Sequence, residues 1–396
     1  MTAPVKFYWS GQAGAPACTG TAGALITLLD AILKDGYNTK SVASITQAAG
    51  VATVTTSTNH GLAVGDPQVI SGAGQAGYNG EFAVKTIVDA THFTLAVDAA
   101  TVTPATGTIS TKIAPAGWTK AFTGTNLAVY QSADSGSTQI PLRIDDTNAQ
   151  YSGITGYLSM SDVNTGTESW FAAYWKKSSS SDSVARPWVA VADGKTLHLF
   201  IGWNQTVGST PMYSHYVFGD LASYVTSDAY AAMLCAHSAN NPGTLGTDTG
   251  TLAAGNIGSA LSTSAGVKVA RSLFGSAASA RYLRAISAAG GLSVGNNASG
   301  ADSNSFGGVQ IADNGLHFVP VLLTEYDAGA TKYPLRGESR GHYHILENLP
   351  AVGVNGFTLL SGLAGLTGRT MLLLRTGAGS TPTDCREGID ITGPWQ

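Results

Sequence analysis

The sequence predicts a mainly β protein, with a large β-sandwich-like main domain, one short N-terminal helix and a small inserted β-domain. Short apolar runs of about four to eight residues lie between Gly, Asn, Asp and Ser turns, residues 44–97 carry strands of alternating polarity, and residues 22–34 have a clear helical period. We expect the main domain to contain two packed sheets joined by long glycine-rich loops. The apolar runs that indicate its buried strands are 188–192, 196–201, 317–323 and 370–375.

The composition excludes several classes of partner. Charged residues make up 12% of the chain, about half the usual share, and the net charge is −4. Because there is no basic run to neutralise phosphates, we do not expect a nucleic acid partner. No stretch approaches the roughly 18 consecutive apolar residues of a membrane span, and the first residues lack the pattern of a secretory signal. Cys18, Cys235 and Cys385 have no metal-like spacing, and no cofactor is predicted.

The helix at 22–34 carries one apolar stripe, formed by Leu25, Leu28, Leu29 and Ile32. Thr19 or Thr21 is the predicted N-terminal cap, and Gly36 is the predicted stop. A helix this short is not stable alone, so its stripe must be buried against a neighbour. The following β-domain has few spare apolar positions, and we therefore expect the helix to pack on the main body.

This reasoning divides the chain into three parts. Residues 1–41 form an N-terminal segment and helix, residues 42–113 form the small β-domain, and residues 114–396 form the main all-β domain. If the helix packs on the main domain, residues 42–113 are an insertion carried on a continuous body.

The small β-domain has a recognisable order of strand and turn signals. In VATVTT (51–56), Ala52, Val54 and Thr56 are predicted to share one face, and the residues between them the other. The motifs HGL, GD, ISG, YNGEF and THFTL follow in that order between residues 60 and 95. This order resembles the FCCH-type β-domain, which is named from ubiquitin-activating enzymes and recurs in bacteriophage tail and virion proteins.

A second resemblance covers essentially the whole chain. The segments GTAGALITLLDAILKDGYNTKSVASI, APAGWTKAFTGTNLAVY, GYLSMSDVNTGT, FGDLASYVTSDAY and DCREGIDITGPW look like those of a family of uncharacterised virion proteins of tailed bacteriophages and prophages. The resemblance implies a structural role in the tail, baseplate or neck of a virion that is assembled in the host bacterial cytoplasm. It supplies no catalytic residues.

Three residues are candidates for metal binding. His342 and His344 are two residues apart, which puts both imidazoles on one face of a strand, and Glu347 follows closely. Two histidines and a carboxylate can hold a divalent metal. The alternative, which the sequence favours, is a surface strand with the histidines outward and Tyr343 and Ile345 inward, so no metal is predicted.

Other patterns typical of enzymes lack their usual context. Asp145, Asp146, Asp162 and Glu168 form the densest acidic stretch, but an Asp at a strand end more often opens a turn or pairs with a neighbour such as Arg143. Two G-x-S-x-G matches, at 291–295 and 337–341, lack the strand before and the helix after that a nucleophile needs. We therefore predict that the protein is not an enzyme.

A cluster of aromatic residues supplies the candidate contact surface. Aromatic side chains bind sugars and anchor protein interfaces, although core packing is the commoner reason for such a cluster. The candidate glycan or protein contacts are Trp170, Tyr174, Trp175, Trp188 and Trp203.

Two classes of function remain from the sequence. The favoured one is a homo-oligomeric tail or baseplate protein that joins tail parts or attaches fibres, with other copies of itself and neighbouring virion proteins as partners. The alternatives are a tail adhesin that binds a receptor or host surface glycan, and a head-proximal collar or decoration protein. The low charge and the absence of a catalytic pattern favour assembly over chemistry.

Overall fold

The structure is a computed structural model that describes residues 5–207, 213–237, 240, 266–273, 281–286, 318–326, 334–345, 356–363, 365–377 and 384–396. Within these ranges the chain is mainly β, as the sequence predicts, and its strands form three antiparallel sheets.

The first part of the chain contains strand β1, a helix and the seven strands of the small β-domain. β1 spans Lys6–Trp9, helix α1 spans Ala24–Leu29, and a π-helical segment, Asp30–Asp35, continues it. The seven strands are β2 (Tyr37–Ala48), β3 (Val51–Thr56), β4 (Pro67–Ser71), β5 (Gly80–Ala83), β6 (Thr86–Ile87), β7 (His92–Ala96) and β8 (Ile109–Ile113), with a short 3-10 turn at Ala76–Tyr78. They form a sheet in the order β5-β4-β8-β2-β3-β7-β6.

The small β-domain has a hydrophobic core of its own. In β3 the side chains of Ala52, Val54 and Thr56 are buried and the residues between them are half-buried, which is the predicted alternation. Ala52 and Val54 pack with Ile45 and Phe93 from the neighbouring strands. Since these contacts lie within one sheet, the sheet is stabilised mainly by its own residues.

A five-stranded sheet follows the small β-domain. Its strands are β9 (Trp118–Gly124), β10 (Leu127–Ser132), β11 (Leu142–Asp145), β12 (Tyr151–Met160) and β13 (Gly166–Lys176), and neighbours in sequence are neighbours in the sheet.

The remaining strands join β1 in one long sheet. They are β14 (Trp188–Ala192), β15 (Thr196–Ile201), β16 (Ser214–Asp220), β17 (Ala222–Ser223), β18 (Ala232–Ala236), β19 (Gly266–Val269), β20 (Arg281–Ile286), β21 (Phe318–Tyr326), β22 (Leu335–Ile345), β23 (Phe357–Ser361), β24 (Thr370–Gly377) and β25 (Asp384–Asp390). The order is β1-β14-β15-β16-β18-β19-β20-β21-β22-β25-β24-β23, and β17 pairs with β22. The apolar runs at 188–192, 196–201 and 370–375, and the described part of the run at 317–323, lie on strands of this sheet.

The main body contains the two packed sheets that were expected, and the long sheet also folds back over itself to give a third layer. One face of β14 to β18, including Leu199 and Leu234, packs on the five-stranded sheet. The opposite face, including Val191 and Phe200, packs on Leu374 and other residues from the far end of the same sheet. Strands buried on both faces need apolar or satisfied polar residues at every position, which explains why these runs lack alternation.

The apolar stripe of the helix is fully buried. Leu25, Leu28, Leu29 and Ile32 share a core with Trp118 and other residues of the five-stranded sheet. The helix ends at Gly36, as predicted, with φ +72°. No helix in the described ranges is long and apolar enough to cross a membrane.

The predicted helix cap is replaced by a distant residue. Neither Thr19 nor Thr21 caps α1; the Asp146 carboxylate accepts hydrogen bonds from the backbone N–H groups of Leu25 and Ile26, at 2.8 and 3.2 Å. Asp146 follows β11, so the cap forms only when the helix packs on the five-stranded sheet.

The chain enters and leaves the small β-domain on adjacent strands. β2 and β8 are paired, with Tyr37 opposite Ile113. The domain also contacts β1 and the turn after it, because Lys6 forms an ion pair with Glu81 at 2.8 Å and Gln12 donates a hydrogen bond to Asp66 at 2.9 Å. That residues 42–113 fold as an independent unit stays a prediction.

Candidate functional site

The four tryptophans of the predicted contact surface are core residues. Trp170, Trp175, Trp188 and Trp203 are at most 6% exposed and belong to the core between the five-stranded sheet and the long sheet. Three of their indole N–H groups donate hydrogen bonds to oxygens of the protein, such as that of Trp175 to the carbonyl of Cys235 at 2.8 Å. The prediction of a tryptophan platform is therefore corrected, because two packed layers cover these side chains.

Tyr174 is the member of that set that reaches the surface. It is half-buried, and its ring meets that of Tyr151 edge-on, with the ring centroids 5.3 Å apart. The two tyrosines line an open groove of about 430 Å³ together with Arg143, Asp145 and Asn148. A groove with aromatic faces, a cation and an amide has the groups that sugar recognition uses.

The residues of the acidic stretch have separate partners rather than a shared cleft. Asp146 is fully buried, caps α1 and forms an ion pair with Lys177. Asp162 accepts backbone hydrogen bonds within its own turn, and Glu168 pairs with Arg271 at 2.7 Å. These contacts agree with the turn and pairing roles that the sequence favours.

The second G-x-S-x-G match lies in a strand, and the first lies outside the described residues. Ser339 is 2% exposed in the middle of β22. A serine nucleophile needs an exposed position on a strand-to-helix turn, which β22 does not provide.

His342 lies in a buried polar cluster. His342 is 1% exposed, whereas Tyr343 is half-buried. The interpretation that the histidines point outward and Tyr343 inward is therefore wrong for these two residues. The reason is that β22 lies inside the long sheet and faces β15 and β16. The side chain of His344 and all of Glu347 lie outside the described residues, and the carboxylate near His342 is that of Glu387 on β25.

Four buried side chains from four strands form this cluster. They are His198 on β15, His215 on β16, His342 and Glu387, which are between 0 and 1% exposed. Glu387 Oε2 lies 2.6 Å from His215 Nδ1 and 3.2 Å from His342 Nε2. The other carboxylate oxygen, Oε1, accepts a hydrogen bond from Thr376 at 3.3 Å.

A chain of hydrogen bonds continues outward from His215. His215 Nε2 lies 3.0 Å from His198 Nδ1, and His198 Nε2 lies 2.8 Å from the carbonyl oxygen of Arg340. A carbonyl only accepts, so His198 carries its proton on Nε2 and, when neutral, accepts at Nδ1. His215 must then donate from Nε2, and the tautomers of both rings are assigned by this chain.

Burial sets the charges in the cluster. It lowers the pKa of His198 well below its ordinary value, and the neighbouring His215 and His342 lower it further. Burial alone would raise the pKa of Glu387, but the attraction of His215 outweighs it and holds the carboxyl pKa below its usual range. The cluster therefore combines a neutral His198 with an ionised Glu387.

An apolar cleft opens on the surface where the two ends of the long sheet meet. Phe357 of β23 packs edge-on against Phe7 and Trp9 of β1, with ring centroids 5.6 and 5.5 Å apart. The cleft has a volume of about 420 Å³ and is closed on one side by residues 63–67 of the small β-domain. Val64 and Leu359 on its walls are 65% and 48% exposed.

No protein-family model and no curated protein matches the chain. Among solved structures, the phage phi92 endosialidase aligns with 10% sequence identity and a TM-score of 0.16, over 90% of this chain and 52% of that one. This chain thus spans about half the length of that endosialidase chain. A TM-score this low does not indicate a shared fold.

Proposed function

We propose that this protein is a structural component of a tailed bacteriophage virion, a homo-oligomeric tail or baseplate protein that joins tail parts or attaches fibres. The resemblance of its motifs to virion proteins supports the proposal, as do the mainly β fold and the low content of charged residues. The observation that carries it is the apolar cleft between β1, β23 and the small β-domain.

The cleft has the properties of a surface that another chain covers. It combines exposed aliphatic side chains with aromatic rings, and such residues are enriched in the centres of protein interfaces. β1 and β23 are the two ends of the long sheet, and sheet ends are the places where further strands add. We favour a second copy of this chain as the occupant, because a net charge of −4 on 396 residues gives little repulsion between copies.

The oligomeric state in solution tests this proposal. We expect native mass spectrometry of the purified protein at micromolar concentration to show a closed oligomer. Val64→Glu and Leu359→Glu should shift it toward monomer, because each places a charge in the covered cleft. Val102→Glu is the matched control, since Val102 is 68% exposed and lies outside the cleft.

A monomeric wild-type protein, or equal effects of the cleft and control variants, would contradict the proposed self-association. Cross-linking within purified virions identifies the neighbouring proteins, and it distinguishes a tail or baseplate position from a head-proximal collar. Failure to find the chain in virions would refute the virion role itself.

The groove beside Tyr174 supports a second candidate function, that of a glycan-binding tail adhesin. Its aromatic pair and its polar residues are accessible, unlike the tryptophans. We expect a glycan array to show binding that Tyr174→Ala abolishes and that Val102→Glu leaves intact. Binding that survives Tyr174→Ala would exclude this groove as the glycan site.

A further inference from the structure

Two of the chain's eight histidines meet one glutamate inside the three-layered body, and a third histidine contacts one of them, although all four residues come from different strands. We propose that His215, His342 and Glu387 bind a divalent transition metal of the zinc class, which joins β16 on one side of the folded sheet to β22 and β25 on the other. The site is sealed from solvent, so its role is structural.

The ligand atoms converge in a way that suits a metal. His215 Nδ1, His342 Nε2 and a carboxylate oxygen of Glu387 all lie within 4.8 Å of one another. Zinc bonds of about 2.0–2.1 Å hold tetrahedral ligand atoms about 3.3 Å apart. His342 Nε2 and Glu387 Oε2, at 3.2 Å, already have this separation.

The contact between His215 and Glu387 needs a proton or a metal ion. Because His215 donates from Nε2 to His198, the Nδ1 atom of a neutral His215 carries a lone pair, and it faces a carboxylate oxygen only 2.6 Å away. Two acceptors at this distance repel unless a proton or a metal ion lies between them. A bound zinc would widen the contact by about 0.7 Å.

The surroundings match those of metal-binding histidines. Such a histidine normally donates its second ring N–H to a fixed acceptor, which sets the tautomer and orients the ring. His198 provides that acceptor for His215, and the carbonyl of Arg340 fixes His198 in turn. Thr376 holds the second oxygen of Glu387. Phe200 stacks on the His215 ring, with the centroids 4.0 Å apart, and restricts its rotation.

The metal content of untagged full-length protein tests the proposal. After expression with added Zn²⁺ and purification without chelators, we expect about one metal ion per chain by elemental mass spectrometry. His342→Gln and Glu387→Gln should lose it. His237→Gln is the matched control, because His237 is also buried, at 2% exposure, but is not one of the ligands.

A second measurement decides the question even if the ligand variants do not fold. Wild-type protein produced with Co²⁺ in place of Zn²⁺ should show the visible absorption of a low-coordinate cobalt site. Substoichiometric metal together with no cobalt band would overturn the proposal and leave a proton shared between His215 and Glu387. Equal metal loss in His237→Gln and His342→Gln would also overturn it.

Discussion

The Asp146–Lys177 pair gives the sharpest test of how the helix is held. Both side chains are fully buried, and the carboxylate also accepts hydrogen bonds from Leu25, Ile26 and Ser152. Asp146→Ala leaves the Lys177 ammonium buried without its counter-charge, which typically costs about 3–5 kcal/mol, and it removes a helix cap worth about 1 kcal/mol. These losses share partners and do not add fully, so we expect a loss of about 4 kcal/mol in the free energy of unfolding.

Two further variants separate the charge from the cap. Lys177→Met should cost about 2 kcal/mol, because the carboxylate keeps its three other donors. In the double variant Asp146→Asn/Lys177→Met, the amide oxygen still caps α1 and no buried charge remains. We therefore expect the double variant to be more stable than Asp146→Ala. Asp145→Ala is the control, since its ion pair with Arg143, at 3.7 Å, is partly exposed and should contribute less than about 1 kcal/mol.

Urea unfolding measures the stabilities, and hydrogen exchange of the amides of residues 24–29 reports on the helix itself. Hydrogen exchange still reports on the helix if the three sheets do not unfold in one transition. A loss below about 1 kcal/mol for Asp146→Ala, with unchanged exchange in the helix, would refute the reasoning.

Three other predictions follow from single positions. Gly36→Ala should lower the free energy of unfolding in urea by about 1–3 kcal/mol more than Gly65→Ala. Both glycines have positive φ, but a Cβ on Gly36 would lie 2.3 Å from a carbonyl oxygen of β8, whereas a Cβ on Gly65 would meet nothing within 4 Å. Equal losses in the two variants would argue against this close packing. Burial raises the pKa of the Asp66 carboxyl in the folded protein. The protonated Asp66 therefore stabilises the fold below the unfolded-state pKa of about 3.9, and this stabilisation is lost as the pH rises through the folded-state pKa. The melting temperature of Asp66→Asn should therefore rise relative to wild type between about pH 4 and pH 7, and a constant difference would contradict this. Trp175→Ala should destabilise the fold by about 3–5 kcal/mol and Tyr174→Ala by clearly less, and the reverse order would contradict the assignment of these neighbours to core and surface.

Local patterns in the sequence predict the fold class and many of its elements. The stripe of Leu25, Leu28, Leu29 and Ile32 predicts a buried helix face, and Gly36 predicts its end. The runs at 188–192 and 196–201 predict strands. Each of these predictions depends on residues close together in the chain, where spacing and side-chain type are sufficient.

Features that depend on distant residues were not predicted. The cap of α1 comes from Asp146, which approaches the helix only through the packing of β11. His342 was singled out, but its neighbouring carboxylate is Glu387, because β22 pairs with β25 so that His342 lies opposite Ile389. His198 and His215 lie on strands that face β22 only after the long sheet folds back. A single sequence does not show the order of strands in a sheet, so the grouping of these four residues could not be predicted from it.

The pairing of β2 with β8 has a consequence for how such a chain can change over generations. Because Tyr37 lies opposite Ile113, the two ends of the small β-domain lie side by side where they join the main body. When the domain is folded, its own strands hold the two ends together, so the body does not have to close a flexible loop of that length. A different domain whose two ends lie side by side would fit the same position. We therefore expect related proteins to carry different domains in place of the small β-domain while the layered body stays the same. A chain in which a short turn joins Tyr37 to Ile113 checks this directly, because both residues pack in the core of the body and that body should still fold.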